Sequence, residues 1–150
     1  MITDTVTWRS TAFNTTRALS YFINPECYGD DAAQWLISRL RELGVDTDPE
    51  PTQEDFGWFF EFRVADADHC FILGHRPDPG GQALWIGFIE SGGGLIASLR
   101  NRNKLHSRAR ELIHRSLSSS PEISEVRWHE KHEFDGGIED GYATPIGGEP

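Results

Sequence analysis

The chain is poor in cysteine and lysine and has no long apolar stretch. Cys27 and Cys70 are its only cysteines in 150 residues, too few for a disulfide framework. No segment approaches the ~20 apolar residues of a membrane-spanning helix. The first residues also lack the basic and apolar regions of a secretory signal. We therefore expect a cytoplasmic protein that does not enter a membrane and that keeps both thiols reduced.

Basic residues are also scarce relative to acidic ones. The chain has 24 acids against 14 bases and a formal net charge of −10. Because binding to phosphate requires a basic surface, this balance makes nucleic acid an unlikely general partner and argues against an anionic membrane surface. A cationic partner is favoured instead, since long-range attraction would speed its approach.

The length and composition predict one folded domain with a tail. Hydrophobic residues make up 37% of the chain, which is enough to form a core at this length. We expect a single domain over residues 1–133. Residues 134–150 are acidic and rich in glycine, so we expect them to form a flexible tail.

Hydrophobic periodicity predicts two helices among several short strands. A helix over residues 31–43 is indicated by apolar residues at helical spacing, closed by Gly44. A second helix, capped by Asn103, would bury Leu105 and the apolar positions that follow it through Leu117. Strands are predicted at residues 5–9, 17–23, 57–64, 69–74, 83–90 and 123–128, and a further strand at 95–99. Short turns between them favour an α+β fold: a mostly antiparallel sheet of five to seven strands, with two helices packed on one face.

An acidic segment next to an aromatic strand is the strongest candidate for a functional surface. Residues 46–55 contain five acids and no base, and the prolines among them predict an exposed loop. In the following strand Trp58, Phe60 and Phe62 alternate and should face the core, which leaves Phe56 or Phe59 exposed beside the acids. An exposed aromatic ring rimmed by carboxylates is typical of a hot spot for a basic partner. The predicted contact residues are Asp46, Asp48, Glu50, Glu54, Asp55, Phe56 and Phe59.

The sequence Glu54-Asp55-Phe56-Gly57-Trp58 resembles a family motif. It is similar to small bacterial proteins with a Glu-Asp-aromatic-Gly-Trp motif that follows a helix and a proline-rich acidic loop. The resemblance spans residues 24–62, and Phe56 stands where tryptophan is more frequent. Acidic proteins of this size are also similar in type to immunity proteins of bacterial toxin systems. That resemblance implies stoichiometric inhibition of a basic toxin, without catalysis.

Two other kinds of binding function remain open. A pocket between sheet and helices, lined by Trp35, Trp58 and Trp85, could hold a small ligand. Alternatively, residues 100–115 carry six bases and one acid, a net charge of +5, and could contact nucleic acid or act as a regulatory module. The basic residues are Arg100, Arg102, Lys104, Arg108, Arg110 and Arg115.

No motif in the sequence predicts an enzyme, a cofactor or a metal site. The segment from His129 to His132 has two histidines three residues apart, whereas the zinc-protease motif needs a spacing of four on a helix. We interpret its histidines as exposed non-ligands. No nucleophile is followed by a base at a recognisable spacing. The sequence therefore favours a non-enzymatic binding protein.

Overall fold

The computed structural model describes residues 1–78, 81–91 and 107–147. Within these ranges the chain forms seven strands and three helices, which confirms the α+β class. The strands are β1 (Thr5–Arg9), β2 (Asp46–Thr47), β3 (Thr52–Glu54), β4 (Gly57–Val64), β5 (Ala67–Arg76), β6 (Leu84–Ser91) and β7 (Ser124–His129). The helices are α1 (Asp30–Glu42), α2 (Ser107–Ser118) and α3 (Lys131–Asp135).

The strands form one sheet in the order β2-β4-β5-β6-β1-β7, and β3 also pairs with β4. Every strand pairing in the described ranges is antiparallel. The short strands β2 and β3 therefore share one edge of the sheet, and β7 forms the other. In the middle, β4, β5 and β6 are joined by hairpins, which place residues adjacent in register side by side on one face.

The face that carries the large aromatic residues packs against α1 and α2. Trp58, Phe60 and Phe62 alternate along β4 and are all buried, as the sequence predicts. Their burial, with that of Trp8, Trp85 and Trp128 from neighbouring strands, removes a large apolar area from water. Both helices contribute their apolar stripes to this single core, which confirms two helices on one face. The helix residues are Ala33, Leu36, Ile37, Leu40, Ala109, Leu112, Ile113 and Leu117.

Two predicted segments have a different structure. Residues 17–23 do not form a strand, because the Phe22 amide donates to the Leu19 carbonyl at 3.0 Å and closes a turn within the segment. Residues 46–55, predicted to be an exposed loop, instead contain β2 and β3. The edge of β4 offers unpaired backbone groups to these short strands, and this pairing outweighs their polar composition.

Residues 134–147 cross the sheet and contact it at several points. The backbone of Tyr142 pairs with that of Trp128, with N–H···O distances of 2.6 and 2.7 Å. The Glu139 carboxylate bonds Arg76 at 2.6 Å, and the amide of Thr3 donates to the Ile146 carbonyl at 3.0 Å. These contacts attach the segment to β7, to β5 and to Thr3, which precedes β1. The flexible tail that the composition predicts over residues 134–150 stays a prediction.

Some predictions fall outside the described ranges. These are the strand over residues 95–99, the Asn103 cap and the burial of Leu105. Within the described ranges, no helix has both the length and the apolar character needed to cross a membrane.

Gly87 in β6 tests the packing of the core. A Cβ atom at this position would lie 2.3 Å from Cζ of the buried Phe71, whereas at Gly74 its closest neighbour would be 3.5 Å away. We expect Gly87→Ala to lower the free energy of unfolding by about 1–3 kcal/mol, the usual cost of overpacking. Gly74→Ala, the matched control, should change it by less than about 0.5 kcal/mol. Equal urea denaturation midpoints for the two variants would contradict this packing.

Stability should also depend on pH, because one histidine is buried and two are partly buried. His129 bonds the Thr7 hydroxyl at 2.7 Å, and His114 accepts a hydrogen bond from the Trp128 indole at 3.0 Å. Burial lowers the pKa of His129, His114 and His75 below the ordinary value of 6.5. The unfolded chain therefore binds more protons below about pH 6.5, so acidification favours unfolding. We expect the urea midpoint to fall between pH 7.5 and 6; a constant or rising midpoint would show that the histidines are not held neutral.

Candidate functional site

Only part of the sheet face opposite α1 and α2 is covered by another element. Phe134 of α3 packs against the His129 ring at 4.9 Å, so α3 lies over β7 and β1. Over β4, β5 and β6, by contrast, α3 reaches only the Phe88 ring with Lys131, and Phe59, Ile72, Ile86 and Phe88 remain half-exposed. We call this region the open face.

Strand register arranges the open face in two rows. Phe59, Ile72 and Phe88 lie side by side across β4, β5 and β6. The next row along the strands contains Glu61, Cys70 and Glu90 in the same order. An apolar row therefore runs parallel to a row with a carboxylate at each end.

A groove of about 750 Å³ crosses the open face. Ile72, Ile86 and Phe88 supply apolar side chains to its lining. One wall comes from residues 24–28 and Phe56, and the other from α3. We call this feature the acidic groove, because its lining includes the carboxylates of Glu26, Asp55, Glu90 and Asp135.

The acidic groove has one formally cationic side chain among its described lining residues. Lys131 places its Nζ 2.5 Å from the Asp135 carboxylate and 5.2 Å from the centre of the Phe88 ring. Four carboxylates and one ammonium give the lining a net charge of −3 with its histidine neutral. Because Lys131 is already paired with Asp135, the other three carboxylates give the groove an attraction for positive charge.

The two cysteines at or near the acidic groove have raised thiol pKa values. Burial, reinforced by the charges of Glu90 and Glu61, raises the pKa of Cys70 to about 12. Burial also raises the pKa of Cys27. Both thiols therefore stay protonated near neutral pH and are poor nucleophiles.

A single glutamine holds the wall of the groove in place. The Gln53 side chain accepts a hydrogen bond from the Ile23 amide and donates to the carbonyls of Asn24 and Cys27, at 2.9 and 3.2 Å. The Trp58 indole donates to the same Cys27 carbonyl at 2.8 Å. Residues 23–27 are thus attached to the end of the β3–β4 hairpin without forming a strand.

The top of this wall exposes large apolar side chains. Phe56, in the β3–β4 turn, is 64% exposed, and Ile23 is 78% exposed. Glu54 and Asp55, the residues that precede Phe56, are exposed as well. The structure therefore places an exposed aromatic ring beside carboxylates, at the position that the sequence analysis selected.

The predicted acidic contact residues do not form one continuous surface. Asp55 lines the acidic groove, and Asp46 lies opposite Arg63 in the β2–β4 pairing. The Asp48 carboxylate is used internally, since it accepts the Glu61 amide at 2.9 Å. Glu50 lines a different pocket. Phe59 is half-buried beside Ile72.

That second pocket, of about 720 Å³, lies between α1 and the β3–β4 end of the sheet. Trp35 and Trp58 line it, as predicted, but Trp85 does not: Trp85 is fully buried and stacks on Trp8 at a centroid distance of 6.4 Å. We call it the aromatic–carboxylate pocket; its other lining residues are Tyr21, Asp30, Asp31, Gln34, Ser38, Glu50 and Pro51. Neither Tyr21 nor Asp30 was predicted to line a pocket, because Tyr21 falls in the strand predicted over residues 17–23 and Asp30 precedes the helix predicted over residues 31–43.

The basic residues do not form the predicted nucleic-acid surface in the described ranges. Arg110 is completely buried, where it donates to the Thr3 carbonyl at 3.1 Å, so its assignment as a nucleic-acid contact is wrong. Arg108 pairs with Glu111 at 3.0 Å, and Arg115 is exposed. Arg100, Arg102 and Lys104 lie outside the described residues.

The ionisable residues form no metal-binding or catalytic cluster that the structure describes. No three histidine, cysteine, aspartate or glutamate side chains in the described ranges could share a metal ion. In the His129–His132 segment, Glu130 caps α3 by accepting the amides of His132 and Glu133. His129 is buried, so the expectation that these histidines are exposed is wrong for it.

No protein-family model, curated protein or solved structure matches this chain. The resemblance to bacterial proteins with a Glu-Asp-aromatic-Gly-Trp motif therefore stays a prediction.

Two phenylalanines four residues apart test which aromatic rings are available to a partner. Phe60 is 0% exposed, so we expect Phe60→Ala to cost about 3–5 kcal/mol of stability or to prevent folding. Phe56→Ala should leave the free energy of unfolding within about 0.5 kcal/mol of the wild type. Thermal and urea denaturation measure both effects. A large loss in Phe56→Ala would mean that this ring stabilises the fold, and it would then not be free to bind a partner.

Proposed function

We propose that this chain is a non-enzymatic binding protein that holds a basic segment of a partner protein in the acidic groove. The observation that carries the proposal is the half-exposed apolar lining of Ile72, Ile86 and Phe88 beneath carboxylates from four separate segments of the chain. Apolar contact would supply affinity, and the carboxylates would select a cationic partner.

Charge complementarity favours a basic protein over other occupants. An acidic partner or a nucleic acid would bring more negative charge toward Asp55 and Glu90, at a cost of several kcal/mol for closely opposed like charges. A purely apolar partner would leave the exposed carboxylates near the groove without counter-charges. A partner segment with alternating apolar and basic residues would contact both rows of the open face. Its apolar side chains would pack on the apolar row, and its basic side chains would lie beside the carboxylates of the second row.

Phe56 and Ile23 extend this surface at its rim. Their exposure allows them to pack against a partner without rearrangement of the core. Inhibition of a basic toxin, as in immunity proteins, is the biological setting that we propose. The cytoplasm is the proposed location, since both cysteines are free thiols.

Charge reversal inside and outside the acidic groove tests the proposal. Asp55→Lys/Glu90→Lys changes the groove lining from −3 to +1, whereas Glu42→Lys/Glu122→Lys makes the same change in total charge at exposed positions outside it. Tagged wild type and both variants are used to capture proteins from an extract of the source organism, and the captured proteins are quantified by mass spectrometry. We expect one basic protein to bind stoichiometrically to the wild type and the control variant, with at least a roughly tenfold loss on the groove variant.

Two results would contradict the proposal. One is an equal loss of binding in both variants, which would show that the interaction depends on the net charge of the protein and not on the groove. The other is full retention by the groove variant, which would move the contact to a different surface. Circular dichroism of each variant checks that all three chains are folded.

A further inference from the structure

The aromatic–carboxylate pocket combines three aromatic rings with three acids. The rings of Tyr21 and Trp58 meet edge to face at a centroid distance of 6.3 Å, and Trp35 faces the same space from α1. Asp30, Asp31 and Glu50 supply carboxylates, and the described lining residues include no basic side chain. The guanidinium of Arg39, which is not a lining residue, lies 5.4 Å from the centre of the Trp35 ring. Asp55 and Glu90 of the acidic groove do not line this pocket.

Asp30 is the unusual member of this set. It is only 9% exposed, and its Oδ2 accepts a hydrogen bond from the Tyr21 hydroxyl. Its Oδ1 is buried and has no hydrogen-bond partner among the described residues. The N-terminus of α1 offsets part of the charge, but an unpaired carboxylate oxygen out of contact with water still lacks a donor.

By contrast, both carboxylate oxygens of the neighbouring Asp31 accept hydrogen bonds. Its two oxygens accept the amides of Asn14 and Ala32 at 2.8 and 2.9 Å. Burial, together with the charge of Asp30, raises the pKa of Asp31, so the pocket disfavours additional negative charge. A bound cation would relieve this repulsion and give Asp30 the donor that it lacks.

We propose that the aromatic–carboxylate pocket binds a guanidinium group. A planar guanidinium can stack on tryptophan or tyrosine while its N–H groups donate to a carboxylate, so one ligand satisfies both kinds of lining residue. A quaternary ammonium could contact the rings but has no N–H to donate to Asp30. The absence of a three-ligand metal cluster in the described ranges disfavours a metal ion as the occupant.

The five tryptophans provide the readout. Agmatine is titrated into ¹⁵N-labelled protein, and the indole N–H signals are followed by NMR. We expect saturable shifts for Trp35 and Trp58, which line the pocket, and unchanged signals for Trp8, Trp85 and Trp128, which do not. Tetramethylammonium, a single cation without N–H donors, should produce much smaller shifts at equal concentration.

Variants locate the binding. Asp30→Asn should weaken agmatine binding about tenfold or more, because the group removed makes the charge-assisted hydrogen bond. Glu50→Gln, at an exposed position, should weaken it severalfold without affecting the fold, which keeps the test valid if Asp30→Asn does not fold. Asp46→Asn, outside the pocket, should bind within about twofold of the wild type. No saturable shift at Trp35 and Trp58, or equal shifts with tetramethylammonium, would overturn the proposal.

A second titration distinguishes two sources of the guanidinium. If the peptide acetyl-Gly-Arg-Gly-amide binds at least as tightly as agmatine, the pocket receives an arginine of a protein partner. If only agmatine binds, the pocket receives a free small molecule. The groove variant Asp55→Lys/Glu90→Lys should bind agmatine like the wild type, so failure of this site and failure of the proposed function are separate results.

Discussion

The alternation of aromatic residues along β4 is the constraint on which the rest of the structure depends. Trp58, Phe60 and Phe62 all point to one side of the strand, and their burial commits α1 and α2 to that side. Both substantial helices of the described ranges are thereby used on one face. The other face of β4, β5 and β6 keeps a half-exposed apolar row that α3 reaches only at its margin. The acidic groove is a direct consequence of this one-sided packing.

Charge converges on the groove from distant parts of the sequence. Glu26 precedes α1, Asp55 lies in the β3–β4 turn, Glu90 belongs to β6 and Asp135 to α3. Hairpin register, the attachment of residues 23–27 by Gln53 and the position of α3 bring these carboxylates together. The aromatic–carboxylate pocket lies apart from them, between α1 and the β3–β4 end of the sheet.

Patterns local in sequence were predictable, and long-range pairings were not. The α1 stripe and the β4 alternation are repeated over enough residues to define a helix and a strand, so the α+β class follows from them. The pairing of β2 and β3 could not be predicted, because it depends on the edge that β4 offers and not on the composition of the acidic segment. Phe56 was identified from its position after the acids. Glu26, Glu90 and Asp30 carry no local signal, since a single acid in a loop, strand or helix cap normally faces solvent.

Isoleucine methyl NMR tests most directly whether a basic partner occupies the open face. Ile72 and Ile86 line the acidic groove, whereas Ile37 of α1 and Ile113 of α2 are buried in the core on the other side of the sheet. The purified captured partner is added to protein labelled at isoleucine δ1-methyl groups. The account predicts that the Ile72 and Ile86 signals shift most, with Ile37 and Ile113 nearly unchanged. Unshifted Ile72 and Ile86 signals in a saturated complex would contradict it.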